Sequence, residues 1–322
     1  MKIAARSLFC SWTFIVLFAE VISLHAENGK ILRRTEMPIR AELLQANPFL
    51  ARLSNIVERV QFWKITYESD ALKINGYMLG PKGKKSVPCI IMARGGNRDF
   101  SAWTDTNVVG LATLADAGYF LIASNYRGAG GSEGQDEFGG RDVNDILNLF
   151  PMIDSLKEEI DPTRIGISGA SRGGMMTYLT LARTKRVSAV VITSGIADLE
   201  NNGRERPEME KNVFAELIPG YATNRVTALQ SRSALRWPEK LAKDTPILLL
   251  AGTGDWRVNP MDSLHMAEKL YKLKHPYRLM VFEGGDHGLS EFALERRQII
   301  REWFDRYLRD KQPWPSLEPH GN

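Results

Sequence analysis

The stretch Arg164-Ile165-Gly166-Ile167-Ser168-Gly169-Ala170-Ser171-Arg172-Gly173-Gly174 constrains this chain more than any other. It reads as a short strand (164–168) running without pause into Gly-x-Ser-x-Gly, followed by helical spacing over 173–182. A strand that turns directly into a helix leaves the central side chain standing clear on the bend. Gly169 and Gly173 flank Ser171 and remove the Cβ atoms that clash in so sharp a turn. The following helix aims its N-terminus at the bend, where developing negative charge is favoured. Ser171 is therefore the candidate nucleophile. Ser168, at the strand end, is a rival whose hydroxyl is expected to be buried.

The pattern around this turn alternates. Strands are predicted over 60–67, 72–79, 87–93, 119–124, 187–193, 246–251 and 277–282. Helices are predicted over 101–117, 142–156, 261–273 and 289–308. Strands alternating with helices of that length indicate βαβ units and a mostly parallel central sheet with helices on both faces. The first two strands have no helix between them and predict an antiparallel start. Residues 27–58 read as an amphipathic helical lead-in, 59–312 as the main α/β domain and 313–322 as a tail. Residues 196–243 break the rhythm and predict a small helical insertion near the open end of the sheet.

The extreme N-terminus is different in kind. Lys2 and Arg6 precede an apolar run over 8–24 that is interrupted mainly by Glu20, and Ala26 offers a small residue for cleavage. This is the pattern of a secretory signal peptide over 1–26, so an exported protein is expected. An uncleaved anchor is the alternative, and membrane contact is expected only if the segment is retained. Cys10 lies inside it, which leaves Cys89 in a buried strand as a core residue and no internal disulfide. The net charge of +4 carries no long run of one sign and no basic stripe, which argues against nucleic acid as a partner.

A serine is a weak nucleophile until a base takes its proton. Of five histidines, His287 alone sits in a loop following a predicted strand, within Glu283-Gly284-Gly285-Asp286-His287-Gly288. Loops at the C-terminal ends of strands are where α/β sites are built. Asp255 follows another strand through Gly252-Thr253-Gly254 and is placed to orient the imidazole. The order Ser171, Asp255, His287 is that of the α/β-hydrolase fold. Asp286 is too close to His287 along the chain to reach its ring well and is expected to brace its own loop. The N–H of Arg172, together with the Gly95–Gly96 segment, is expected to form an oxyanion hole. Arg127 is expected to pair with Glu133 or a nearby acid. No metal-ligand spacing stands out, and the chemistry requires no cofactor.

Gly169-Ala170-Ser171-Arg172-Gly173-Gly174, Gly252-Thr253-Gly254-Asp255-Trp256-Arg257-Val258, Gly284-Gly285-Asp286-His287 and Asn125-Tyr126-Arg127-Gly128 together resemble the catalytic domain of the prolyl oligopeptidase family. The resemblance covers about residues 60 to 310. It implies an α/β-hydrolase fold and serine peptidase or esterase activity on a small peptide or acyl ester. Many members carry an N-terminal β-propeller, for which these 322 residues leave no room. Many also place a histidine or tyrosine before the paired glycines, where Arg94 stands here. A carboxylesterase or dienelactone-hydrolase-like enzyme is the alternative activity, and a non-catalytic binding protein on a hydrolase scaffold is the alternative class.

Overall fold

The computed structural model describes residues 27–45 and 48–321; the expected signal segment over 1–26 lies outside them. The strands are β1 (Ile31–Glu36), β2 (Val60–Ser69), β3 (Leu72–Pro81), β4 (Val87–Ala93), β5 (Phe120–Ser124), β6 (Ile160–Ala170), β7 (Ala189–Thr193), β8 (Ile247–Gly252) and β9 (Tyr277–Phe282). They form one sheet in the order β1-β2-β3-β5-β4-β6-β7-β8-β9. The contacts β1·β2, β2·β3 and β3·β5 are antiparallel, and every contact from β5 through β9 is parallel. This is the α/β-hydrolase architecture, with an antiparallel start one strand longer than the sequence indicates.

Every residue of β4, β5, β7 and β8 is buried. A parallel strand covered by helices on both faces must be apolar on both, which is why these strands read as unbroken hydrophobic runs. Two apolar cores result, one on each face. Ile91, Ile122, Ile167 and Ile192 contribute to one; Ile90, Leu121, Val191 and Leu250 contribute to the other.

The β2–β3 hairpin turns through Asp70 and Ala71, both at positive φ (52° and 62°). Two-residue hairpins favour this conformation, and glycine or asparagine usually supplies it. Here the Asp70 carboxylate accepts from Arg127 Nη2 (2.8 Å) and Asn144 Nδ2 (2.8 Å), which fastens the turn to the main domain.

The expectation of a helical lead-in over 27–58 requires correction. Short helices occupy Ala41–Gln45, Pro48–Ala51 and Ser54–Val57, but Ile31–Glu36 is an edge strand paired with β2. Arg34 stacks on Trp63, with its guanidinium 3.9 Å from the ring centroid, and makes two 2.6 Å hydrogen bonds to Glu159. Those partners are distant along the chain, so the contacts that make this segment a strand are not local. The helix predicted over 101–117 begins only at Asp105, where Thr104 and Asn107 form a reciprocal cap. The last helix begins at Ala293, after a loop.

Candidate active site

β6 ends at Ala170, and the helix Arg172–Leu181 begins two residues later. Ser171 alone makes the turn, at φ 57° and ψ −124°. A non-glycine residue there stores strain of roughly 1–3 kcal/mol. The turn is held by the Ser171 N–H donating to Thr193 O (3.0 Å) and by Gly174 N–H donating back to Ser171 O (2.9 Å). A Cβ at Gly173 would lie 2.0 Å from Ala93 O, so only glycine lets the helix start this close to β4. A Cβ at Gly95 would sit 3.3 Å from Ser171 Cβ, which brings the loop after β4 against the nucleophile.

Asp255 and His287 follow the adjacent strands β8 and β9. Asp255 Oδ2 lies 2.8 Å from His287 Nδ1. The other oxygen, Oδ1, accepts the N–H groups of Arg257 (2.8 Å) and Val258 (3.0 Å). Burial works to raise the Asp255 carboxyl, but the His287 hydrogen bond and the Val258 and Arg257 N–H groups outweigh it. The net result is a carboxyl held below its ordinary range. It therefore stays an anion beside the imidazole. Asp286 Oδ1 accepts from Gly288 N and Ser290 N, both at 2.8 Å, and so braces the loop that carries the base.

Ser171, His287, Gly95, Gly96 and Arg257 line one cavity of about 390 Å³. Among the described residues no hydrogen bond joins the Ser171 hydroxyl to His287; catalytic contacts of this kind commonly tighten when substrate fills the site. Ser168, half-buried in β6, lines the same cavity but follows the strand rather than the bend. An adjoining space of about 670 Å³, bordered by Met92, Leu111, Leu114 and Ile300, opens beside His287. A larger cavity of about 940 Å³ at the opposite end of the strands touches none of the three candidate residues.

Arg172 does two things. Its backbone opens a helix whose first-turn N–H groups have no partner within the helix. Its side chain is 1 % exposed and runs beneath the site. The guanidinium donates to both oxygens of Asp136 (2.7 Å each), to Asp142, and to Gly96 O (3.0 Å). The Asp136 carboxylate also accepts the Arg98 N–H (2.7 Å). The nucleophile helix and the Gly95–Gly96 loop are thus fastened through one buried ion cluster. Arg94, also buried, donates to the carbonyls of Asn125, Phe100 and Arg98, tying the same loop from within.

Sequence reasoning missed Asp136 and Asp142. Buried acids in a glycine-rich stretch were the available signal, but their partner is distant in sequence. Arg127 pairs with Asp145 (2.7 Å) and Asp70 (2.8 Å), the other acids that the sequence left open for it, while Glu133 faces Lys73 (3.8 Å). The insertion packs against the site loops: Arg98 pairs with Glu216, and Asn202 and Arg206 both donate to Arg257 O.

Arg172→Met keeps the backbone N–H and much of the side-chain volume but leaves two carboxylates buried without their partner. The expected cost is about 3–5 kcal/mol of unfolding free energy. Urea unfolding followed by circular dichroism checks it. A loss below about 1 kcal/mol would mean that the cluster is not holding this part of the fold.

The sequence profile of the prolyl oligopeptidase family matches residues 105–311. Uncharacterized peptidase YtmA of Bacillus subtilis (strain 168) is 25% identical over 246 residues, covering 76% of this chain and 92% of that protein. Uncharacterized peptidase YuxL of the same strain is 26% identical over 278 residues; the match takes in 79% of this chain but only 39% of YuxL. In structure, Pyrococcus horikoshii acylaminoacyl peptidase superposes with a TM-score of 0.71 at 21% identity, covering 84% of this chain and 45% of that one. The structural likeness is one of fold, whereas the profile match spans more than half of the sequence. On that match, together with the turn at Ser171 and the Asp255–His287 pair, the chain belongs to the prolyl oligopeptidase family.

Proposed function

We propose that this protein is a serine hydrolase that cleaves amide bonds of short peptides through an acyl-enzyme. The observation that carries the reading is the Asp255–His287 hydrogen bond (2.8 Å) at the wall of the cavity that also holds Ser171. His287 Nε2 takes the hydroxyl proton as Ser171 Oγ bonds to the scissile carbonyl carbon. Asp255 keeps the proton of Nδ1 in place and stabilises the imidazolium that forms. The carbonyl oxygen becomes an oxyanion against the N–H groups of Arg172 and the Gly95–Gly96 segment. His287 then returns the proton to the leaving amine. Water, deprotonated by the same imidazole, attacks the acyl carbon and releases the acid and Ser171.

The same groups cleave an ester by the same steps, so the bond is decided by assay. Aminoacyl-anilides and short-chain acyl esters are compared on one purified sample. Turnover of both is expected. Ester turnover with no detectable amide turnover would sink the peptidase reading and leave an esterase. We also propose export, which rests on Lys2, Arg6 and the apolar run over 8–24. Recovery of the protein from the cell envelope or medium, shortened near Ala26, is the expected result of fractionation and N-terminal sequencing.

A further inference from the structure

Two cavities meet at His287. The catalytic one, about 390 Å³, holds Ser171 and the Gly95–Gly96 segment; the adjoining one, about 670 Å³, is lined by neither. His287, Gly288, Met92 and Asn107 are common to both. The catalytic cavity is near the small end of the volumes that small-molecule sites occupy, and its neighbour is well within that range. The second space runs between the helical stretch 109–116 and the last helix (Ala293–Phe304), with Phe49 in its wall. Leu294, which also lines it, is 79% exposed, so the space reaches solvent.

Most polar side chains along this channel are already engaged. Asn107 accepts the Thr104 N–H (2.7 Å) and donates to Ala102 O (2.8 Å), and Gln298 donates to Glu302 (2.8 Å). Arg296 donates to Gly288 O, Arg297 lies 3.9 Å from the Phe49 ring centroid, and Arg301 faces Asp305 (4.0 Å). Among the described residues no acid lines the channel. The surface left for a ligand is therefore mostly aliphatic, from Met92, Leu111, Leu114 and Ile300. Gly110 keeps it wide. A Cβ there would meet only Phe49 Cε1, at 3.7 Å, which is an ordinary contact, so a side chain at this position narrows the channel without forcing the backbone.

The chemistry decides which part of a substrate lies here. His287 hands the proton taken from Ser171 to the atom that departs, so that atom must come within hydrogen-bond reach of the imidazole. The carbonyl oxygen meanwhile faces the N–H groups of Arg172 and the Gly95–Gly96 segment, in the other cavity. Whatever is bonded to the departing atom continues past His287, where the channel opens. We propose that this channel receives the leaving group, so that the enzyme prefers substrates whose departing alcohol or amine carries an extended, uncharged apolar chain. The proposal rests on the hydrolase reading above and adds a substrate class to it. The bond that breaks joins the carbonyl carbon to that oxygen or nitrogen, which leaves protonated down the channel while the acyl group stays on Ser171.

The test holds the acyl group constant and varies the alcohol. Acetate esters of linear alcohols from ethanol to octanol leave with nearly the same intrinsic ease, so a trend in kcat/KM reports binding of the departing chain. A rise of about two- to fourfold per methylene is expected, the upper figure being the worth of a fully buried CH₂. Gly110→Phe should flatten that rise, whereas Gly110→Ala should keep most of it. A second series, ethyl esters of lengthening acids, should respond equally in parent and Gly110→Phe, because the acyl chain lies in the other cavity. A merely structural effect of the phenylalanine would lower every ester by the same factor and leave the slope intact. Acetates whose six-carbon alcohol ends in a carboxylate or an ammonium should be poorer substrates than hexyl acetate, since a charge in the channel loses its water. A flat alcohol series with measurable turnover, a slope unchanged in Gly110→Phe, or a preference for the carboxylate over the hexyl ester overturns the proposal and leaves the hydrolase reading standing. No turnover of any member overturns both.

Discussion

Replacing Ser171 with alanine is expected to lower kcat by a factor on the order of 10⁶, leaving only what binding and the oxyanion hole provide. The reason is chemical rather than structural. The hydroxyl holds no hydrogen bond among the described residues, so its loss leaves no group without a partner. The turn itself depends on Ser171 N–H and C=O, which alanine retains. Alanine bears the same Cβ at the same positive φ, so the strain at φ 57° does not change. The variant should therefore unfold at the denaturant concentration of the parent, while both peptide and ester turnover vanish. Labelling by a fluorophosphonate probe should vanish with them. Labelling that persists in the variant would put the nucleophile elsewhere, with Ser168 the first place to look.

Asp255→Asn is expected to lower kcat by roughly 10⁴, with the fold intact. The hydrogen bonds of Asp255 say why. Oδ1 already accepts two backbone N–H groups, from Arg257 and Val258. An asparagine at this position must keep its carbonyl oxygen there, because its NH₂ group cannot accept from two donors. The NH₂ group then faces His287 Nδ1, where Oδ2 stood 2.8 Å away. Nδ1 must become an acceptor, and the imidazole proton moves to Nε2. That tautomer cannot take a proton from Ser171. Steady-state kinetics at neutral pH checks the effect, and a loss smaller than about tenfold would mean that another group orients the base.

Legibility in the sequence followed locality. Ser171, Asp255 and His287 each stand just past a strand end marked by glycines, so their setting was written within a few residues of them. The parallel core strands were equally visible, because burial on both faces leaves an uninterrupted apolar run. The strand Ile31–Glu36 was not, since four of its six residues are exposed and its partners lie about thirty residues away in β2. The partner of Arg127 stayed open between Glu133 and another acid for a related reason. Glu133 is closer along the chain, yet Asp145 is the acid that the fold brings beneath it. Arg172 was recognised only for its backbone. Nothing near it in sequence signals that its side chain gathers Asp136, Asp142 and Gly96 under the site.

The sheet order leaves a lateral gap between the nucleophile and the strand that launches the base. β6, which presents Ser171, and β9, which leads to His287, are three lateral steps apart, about 14 Å at about 4.8 Å per step. The loop does not cross that gap outstretched: Gly285 N–H donates back to Phe282 O (3.2 Å), and Gly254 N–H donates to Gly285 O (3.0 Å). A Cβ at Gly252 would lie 2.2 Å from Gly285 O, so the turn lies flat against the end of β8. The span Glu283–Asp286 is a bracket folded onto the neighbouring strand, and the bareness of Gly252 is what lets it seat there.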